Sequence, residues 1–370
     1  MIPIEHCIRK TPDTRSATII MDVYWLNKKA DLRLQRGSGI RRRINALLTG
    51  AAHRLRTSWV PGFPRHLILD VFSSCGLHCP ICPQGRQEIP RKPSVLDPDL
   101  FRTILDCFGP YLYTLTLTNW GEPLRYPHLV ELVEYARKWS VYIGFSTNLQ
   151  TFSRDRIERL LETDIDEIGC SIDGATEPTY QKYRVGGSFS NAIDRMTYLV
   201  RRRNELGRRT PKIRWQVLLN CHTEKEIDLI IETGRSIGVD SIVFVPIYVD
   251  IAGLFVRTPR ERFDRDRDWL PLDSGMSWYN YETGLLKHSP AICDKLWDTM
   301  VIHPDGAVSP CCGVIDPQHD FGRITPGRLN GLSLFNNTSY RTARRMIRSG
   351  RRLDSGLVCS HCVTHGVLIY

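Results

Sequence analysis

The chain has 370 residues, enough for one large domain and a smaller one, and its 42% hydrophobic and 24% charged content is that of an ordinary folded protein. Its apolar runs are strand-sized, well short of the roughly 18 residues a membrane span needs. Residues 1–13 carry Pro3, Glu5 and Pro12 where an export signal would be apolar, so a cytoplasmic protein with no membrane partner is expected. The net charge of +10 favours anionic partners in general. Much of the excess falls in residues 28–56 and 341–352, where solvated helix faces account for it, and no aromatic-interleaved module points to nucleic acid.

Residues 1–65 precede the first clear strand. They read as a basic helical extension, with helical spacing at Ile40, Ile44, Leu47, Leu48 and Leu55 and a basic run at Arg41, Arg42 and Arg43. Pro61 and Pro64 end it. From there, β-rich runs at 66–72, 112–118, 141–146, 167–172, 212–219 and 241–245 alternate with helical patterns at 97–107, 127–139, 153–161, 176–184, 191–206 and 223–237. This alternation predicts an α/β fold with a parallel sheet, curled by right-handed crossovers into a partial (β/α)6 barrel over 66–248. Chemistry in such folds collects at the C-terminal strand ends. Residues 249–289 are rich in charge, proline, glycine and aromatics, and read as a linker or substrate-facing insertion. Residues 290–370 form a small cysteine-rich domain that metal must help to hold.

Twelve cysteines in a chain without an export signal suggest metal binding more than disulfides. Cys75, Cys79 and Cys82 form a C-x3-C-x2-C loop just after the first strand. Three thiolates there can hold three irons of a cubane and leave the fourth open; a zinc knuckle is the alternative. Three further motifs come at the ends of later strands, Gly121-Glu122-Pro123, Ser146-Thr147-Asn148 and Ser171-Ile172-Asp173-Gly174, and the last is followed by Tyr180-x2-Tyr183-Arg184.

Together these resemble the radical S-adenosylmethionine (SAM) superfamily across residues 67–245. The resemblance implies a [4Fe–4S] cluster on Cys75, Cys79 and Cys82, with SAM on the open iron. It implies that Gly121, Glu122 and Pro123 receive the SAM amino group. Ser146, Asn148 and Ser171 would touch the ribose, Asp173 would belong to the same cofactor site, Ile81 would lie against adenine, and Arg184 would pair with the carboxylate, where its fork can grip two oxygens. Reductive cleavage of SAM would give a 5′-deoxyadenosyl radical, with a flavodoxin- or ferredoxin-type protein as electron donor.

In the C-terminal segment, Cys293, Gly306-x4-Cys311 and Cys359-x2-Cys362 are spaced so that a hairpin at His303-Pro304-Asp305-Gly306 could bring the cysteines together. Four thiolates suit a second, fully ligated [4Fe–4S] cluster; zinc is again the alternative. The region is similar to the SPASM/twitch extension, in the single-cluster form of 2-deoxy-scyllo-inosamine dehydrogenases. Cys312 could be a packed thiol, a substitute ligand or a hydrogen donor. Cys7, Cys107, Cys170 and Cys221 read as core thiols.

The resemblance implies an oxidoreductase that takes hydrogen from a hydroxyl-bearing carbon of a small sugar- or aminocyclitol-like substrate, giving a ketone. Gln216 and Asn220, with Asp250, His222 and Arg184 near the mouth, are candidates for contacting substrate or accepting its proton. The alternatives are a maturase that cross-links or epimerises a ribosomally made peptide, an epimerase, an electron-transfer protein, and an RNA-modifying enzyme.

Overall fold

A computed structural model describes residues 39–250, 257–287, 293–327, 329–350 and 356–365, and the backbone of 18–20. In chain order the elements are β1 (Thr18–Ile20), α1 (Ile40–Arg54), β2 (His66–Leu69), α2 (Pro98–Phe108), β3 (Thr114–Thr116), α3 (Leu129–Ala136), β4 (Tyr142–Thr147), α4 (Arg154–Glu162), β5 (Glu167–Ser171), α5 (Glu177–Tyr183) and α6 (Phe189–Glu205). Then come β6 (Lys212–Leu219), α7 (Ile227–Ile237), β7 (Ser241–Pro246), α8 (Pro259–Asp266), α9 (Lys295–Asp298), β8 (Thr299–Ile302), β9 (Ala307–Ser309), β10 (Gly322–Arg323), α10 (Gly331–Phe335), α11 (Thr338–Ser349) and α12 (Cys359–His365). Each of the six expected strands is present. The helices start where the sequence supplies caps: Asp97, Ser153, Thr176 and Ser188 each accept a backbone N–H of the first turn.

The chain divides into two units. The first comprises residues 1–23, 75–88 and 145–288; the second comprises 24–74, 89–144 and 289–370. In the first, β1 pairs with β7, β7 with β6 and β6 with β5, all parallel, in the registers Thr18↔Ser241, Arg214↔Ser241 and Gly169↔Arg214. The odd residues of β6 pack against α7, where Gly234 lies so near Ile242 and Trp215 that a Cβ would meet them at 2.6 and 3.3 Å. The even residues, including Arg214 and Gln216, therefore take the opposite face.

In the second unit the first half of β4 pairs with β3, β3 with β2 and β2 with β8, again parallel, with His66 opposite both Thr114 and Thr299. The hairpin strands β9 and β10 continue antiparallel. Two expectations change here. Residues 1–65 are not helical throughout, because β1 joins the first unit's sheet. The C-terminal segment, read as a small domain of its own, has its hairpin hydrogen-bonded beside β2.

Helix α1 turns a mostly polar face inward. Its buried residues are Arg42, Asn45, Thr49 and Ala52. Arg42 donates to the carbonyls of Gly109, Trp139 and Ser140. Asn45 brackets Phe63, donating to its carbonyl at 3.0 Å and accepting its N–H at 2.8 Å. The aliphatic residues Ile40, Ile44, Leu47, Leu48 and Leu55 face outward, from 39% exposed at Leu48 to 74% at Leu47.

Candidate active site

The loop bearing Cys75, Cys79 and Cys82 lies in the first unit. Cys82 N–H donates to the Cys79 carbonyl and Arg86 N–H to that of Cys82, which winds the loop into turns. Gly85 doubles back onto Cys79 so closely that a Cβ would lie 2.5 Å from its nitrogen. His78 N–H donates to the Val185 carbonyl, tying the loop to the segment after α5. Arg86 anchors its far end on Asp266 of α8, at 3.0 Å for one of two bonds. Burial pushes the Cys79 thiol up to about 12; the Arg184 charge opposes this, while Cys82, Asp173 and Cys75 add to it. A thiol held protonated in this way becomes a ligand when a metal takes the proton's place. Asn148 Nδ2 donates to Cys75 Sγ at 3.3 Å, a bond suited to a thiolate.

Within the same unit, Asp173 ends the turn after β5 fully buried. It accepts from Leu218 N–H and from Arg184 Nε, both at 2.6 Å. Burial raises the Asp173 carboxyl against the pull of Arg184 and the Leu218 N–H. Burial alone would lower the Arg184 guanidinium, but the charges of Asp173 and Cys79 hold it well above its ordinary value. Asp173 thus holds the Arg184 guanidinium in place. Ser146 faces Gly169, where a Cβ would come within 2.9 Å of its hydroxyl. Ser171 is buried at the end of β5, and Ile81 is buried in the cysteine loop. The buried Arg214–Glu167 pair at 2.7 Å was not foreseen; an arginine and a glutamate at the starts of adjacent strands were its only signal.

The second unit holds the Gly121-Glu122-Pro123 turn. A Cβ on Gly121 would lie 1.5 Å from the Phe72 carbonyl oxygen, so only glycine fits. Glu122 is buried, donates its N–H to the Ser74 carbonyl and accepts Leu124 N–H on Oε1 at 3.1 Å. Below the turn, the fully buried Asp70 accepts the N–H groups of Asn119 and Trp120. Burial raises its carboxyl to about 6, against these bonds and the Arg91 charge. Asp70 was missed, although a lone acid ending an apolar strand could have pointed to it.

Of the candidates for substrate contact, Gln216 is half-buried on the face of β6 turned away from α7. Asn220 is not a candidate. It is fully buried, and its Oδ1 accepts the N–H groups of His222 and Thr223, shaping the turn before α7. Asp250 is likewise taken out, fully buried between Arg257 and Arg265. His222 stacks edge-on against Trp269; burial, with Lys182 and Lys225, lowers its pKa.

The C-terminal cysteines lie in the second unit, and the hairpin forms as expected. His303 and Ala307 pair across it, with Gly306 at φ +82°. Cys293, Cys311, Cys359 and Cys362 come within electrostatic reach of one another. Burial pushes Cys293 and Cys311 up to about 12 and holds the Cys359 thiol well above its ordinary value. Cys293 accepts backbone N–H groups of Lys295 and Leu296, and Cys311 accepts that of Gly313. Cys312 instead accepts from Lys295 Nζ at 3.2 Å. Among the described residues no three His, Cys, Asp or Glu side chains converge on a single ion; in a cubane each thiolate binds a different iron. Both cysteine sets suit such clusters, with backbone or side-chain N–H groups on their sulfurs. Cys170 is core, Cys107 lies against Gly331, and Cys7 is outside the described residues.

The profile of the radical SAM superfamily matches residues 69–240, and that of SPASM, an iron–sulfur cluster-binding domain, matches 293–363. A tungsten-containing aldehyde ferredoxin oxidoreductase cofactor-modifying protein of Pyrococcus furiosus is 24% identical over 262 residues, 67% of this chain and 70% of that one. A PqqA peptide cyclase of Gluconobacter oxydans is 29% identical over 128 residues, 35% of either chain; the match thus spans about a third of that relative's length. Among solved structures, SuiB of Streptococcus suis bound to its precursor peptide SuiA superposes with a TM-score of 0.58 at 15% identity, covering 88% of this chain and 75% of that one. That likeness shows the α/β fold. Among the described residues no helix is long and apolar enough to cross a membrane.

Proposed function

We propose, for a chain that belongs to the radical SAM superfamily in its SPASM/twitch branch, that the substrate is a peptide. The protein is a radical SAM enzyme that uses SAM and [4Fe–4S] clusters, an auxiliary one in its SPASM domain. The expected oxidation of a small aminocyclitol gives way to modification of a ribosomally made peptide. The observation that carries this is the match, over 128 residues, to an enzyme named for cyclising the peptide PqqA.

Cys75, Cys79 and Cys82 hold the SAM-binding cluster in this reading, and Cys293, Cys311, Cys359 and Cys362 the auxiliary one. Bound there, cluster and SAM supply a 5′-deoxyadenosyl radical able to take hydrogen from an unactivated carbon. The chain orients and shields. Arg184, kept charged and aimed by Asp173, grips the SAM carboxylate. Glu122, on its glycine-fixed turn, accepts from the amino group. Gln216 faces the reacting partners, and a flavodoxin- or ferredoxin-type protein provides the reducing electron.

The anaerobically reconstituted protein should bind about eight irons, and about four once Cys75, Cys79 and Cys82 are all alanine. SAM cleavage should vanish in that variant. The substrate is tested with the short peptide encoded beside the gene, in deuterated water, read by tandem mass spectrometry. A product lighter by two hydrogens supports cross-linking, and one carrying a carbon-bound deuterium supports epimerisation. An unmodified peptide, together with a ketone formed from an aminocyclitol, would overturn the peptide reading.

A further inference from the structure

The outward face of α1 is unusual enough to need an occupant. Apolar residues at helical spacing ordinarily face the core, yet here Ile40, Ile44, Leu47, Leu48 and Leu55 form a stripe in solvent. The orientation is built in, because Arg42 and Asn45 hold the opposite face with hydrogen bonds to five backbone groups. A contiguous exposed apolar stripe of this kind marks an interaction surface.

Charge and position narrow the partner. The helix has no Asp or Glu, and exposed Arg41, Arg43 and Arg54, with Arg56 just beyond, edge the stripe. A second copy across a two-fold axis would set these arginines against each other, whereas an acidic surface would complement them. The end of the helix borders the four-cysteine site. His53 Nε2 pairs with Asp294 at 2.9 Å, its ring lies 5.5 Å from that of Trp297, and Asp294 adjoins Cys293. Trp59, four residues beyond Leu55, is a further exposed apolar side chain, at 48%.

We propose that this face of α1 docks a small acidic one-electron carrier protein, of the ferredoxin class, beside the auxiliary cluster. The inference rests on the cluster assignment above. In cross-linking, the substrate loses two hydrogens. One leaves as an atom and ends on deoxyadenosine. The other leaves as a proton to solvent and an electron to the four-cysteine site. That electron must go on, and the oxidised carrier accepts it, being reduced by one electron. A helix of 15 residues, about 22 Å long, suits the small interfaces of transient redox pairs.

The test titrates the holoenzyme with an oxidised bacterial ferredoxin carrying two [4Fe–4S] clusters, by anaerobic calorimetry at low and high salt. Two variants are compared with wild type: Leu47→Ser/Leu48→Ser/Leu55→Ser and Arg43→Glu/Arg54→Glu. The expected result is salt-sensitive binding that each variant weakens by about tenfold or more. SAM cleavage with dithionite should be unchanged, so a failure of the peptide assay would not be confused with a failure here. Equal binding by all three proteins would overturn the proposal. So would a wild-type dimer that the serine variant splits, or adsorption to phosphatidylglycerol vesicles in place of ferredoxin. A Leu47→Cys thiol closed to maleimide in the isolated protein would show that the chain covers the stripe itself.

Discussion

Asp173 and Arg184 show what a residue type tells and what it withholds. A serine–isoleucine–aspartate–glycine turn followed by an arginine suggested three cofactor contacts, Ser171, Asp173 and Arg184. The structure buries the aspartate completely and gives its oxygens to Arg184 and Leu218 N–H. Its part is then to hold the guanidinium charged and aimed. Asp173→Asn, which keeps an acceptor but removes the charge, should weaken SAM binding by about tenfold while leaving the iron content intact; titration calorimetry and iron analysis together check this. Asp173→Ala should cost about 3–5 kcal/mol of stability by stranding a buried charge. Asn220→Ala gives the contrast. Losing the acceptor for two N–H groups should cost about 1–3 kcal/mol in denaturant unfolding and leave SAM cleavage unaltered. Sequence placed Asn220 and Asp250 near strand ends, where sites collect, but could not say that their oxygens were already taken. It also passed over Asp70 and Gly85, whose importance lies in what approaches them.

At the level of elements, periodicity and capping residues were dependable wherever the information is local. The six strands of the alternating region and the hairpin at Gly306 formed where the pattern placed them. What could not be read was pairing between distant segments. Nothing local in 299–302 says that it lies parallel to 66–69, or in 18–20 that it pairs with 241–243. In helix α1, apolar spacing says that one face differs from the other and not which is inward. Close approaches give the sharpest test at this scale. Gly121→Ala would drive a Cβ to 1.5 Å from the Phe72 carbonyl oxygen, a rigid backbone atom. The turn that presents Glu122 must then shift. SAM binding should be lost while the far-ultraviolet circular dichroism changes little. Retained binding would mean that this turn does not hold the cofactor.

For the chain as a whole, two buried groups should make stability respond oppositely to acid. Asp70 is raised to about 6 in the fold, against about 3.9 unfolded. The folded state therefore holds its proton more tightly. The stability this contributes is fully present below the unfolded value and is lost as pH rises through about 6. Acidifying from pH 6.5 to 5 recovers about 1 kcal/mol. His303 is lowered to about 3, chiefly by burial and then by Arg91, and its ring bonds to the Ser309 hydroxyl. Its unfolded counterpart titrates near 6.5. Stability from keeping it neutral is present above that value and drains away as pH falls toward 3, costing about 2 kcal/mol over the same step. The wild type should thus change by less than about 1 kcal/mol between pH 6.5 and 5. Asp70→Asn should expose the histidine and lose stability on acidification. His303→Gln, which keeps a polar partner for Ser309, should expose the aspartate and gain stability. Anaerobic urea unfolding of the three proteins at both pH values decides it: parallel pH responses would mean that neither group titrates as its burial requires, and opposite slopes in the two variants would confirm both.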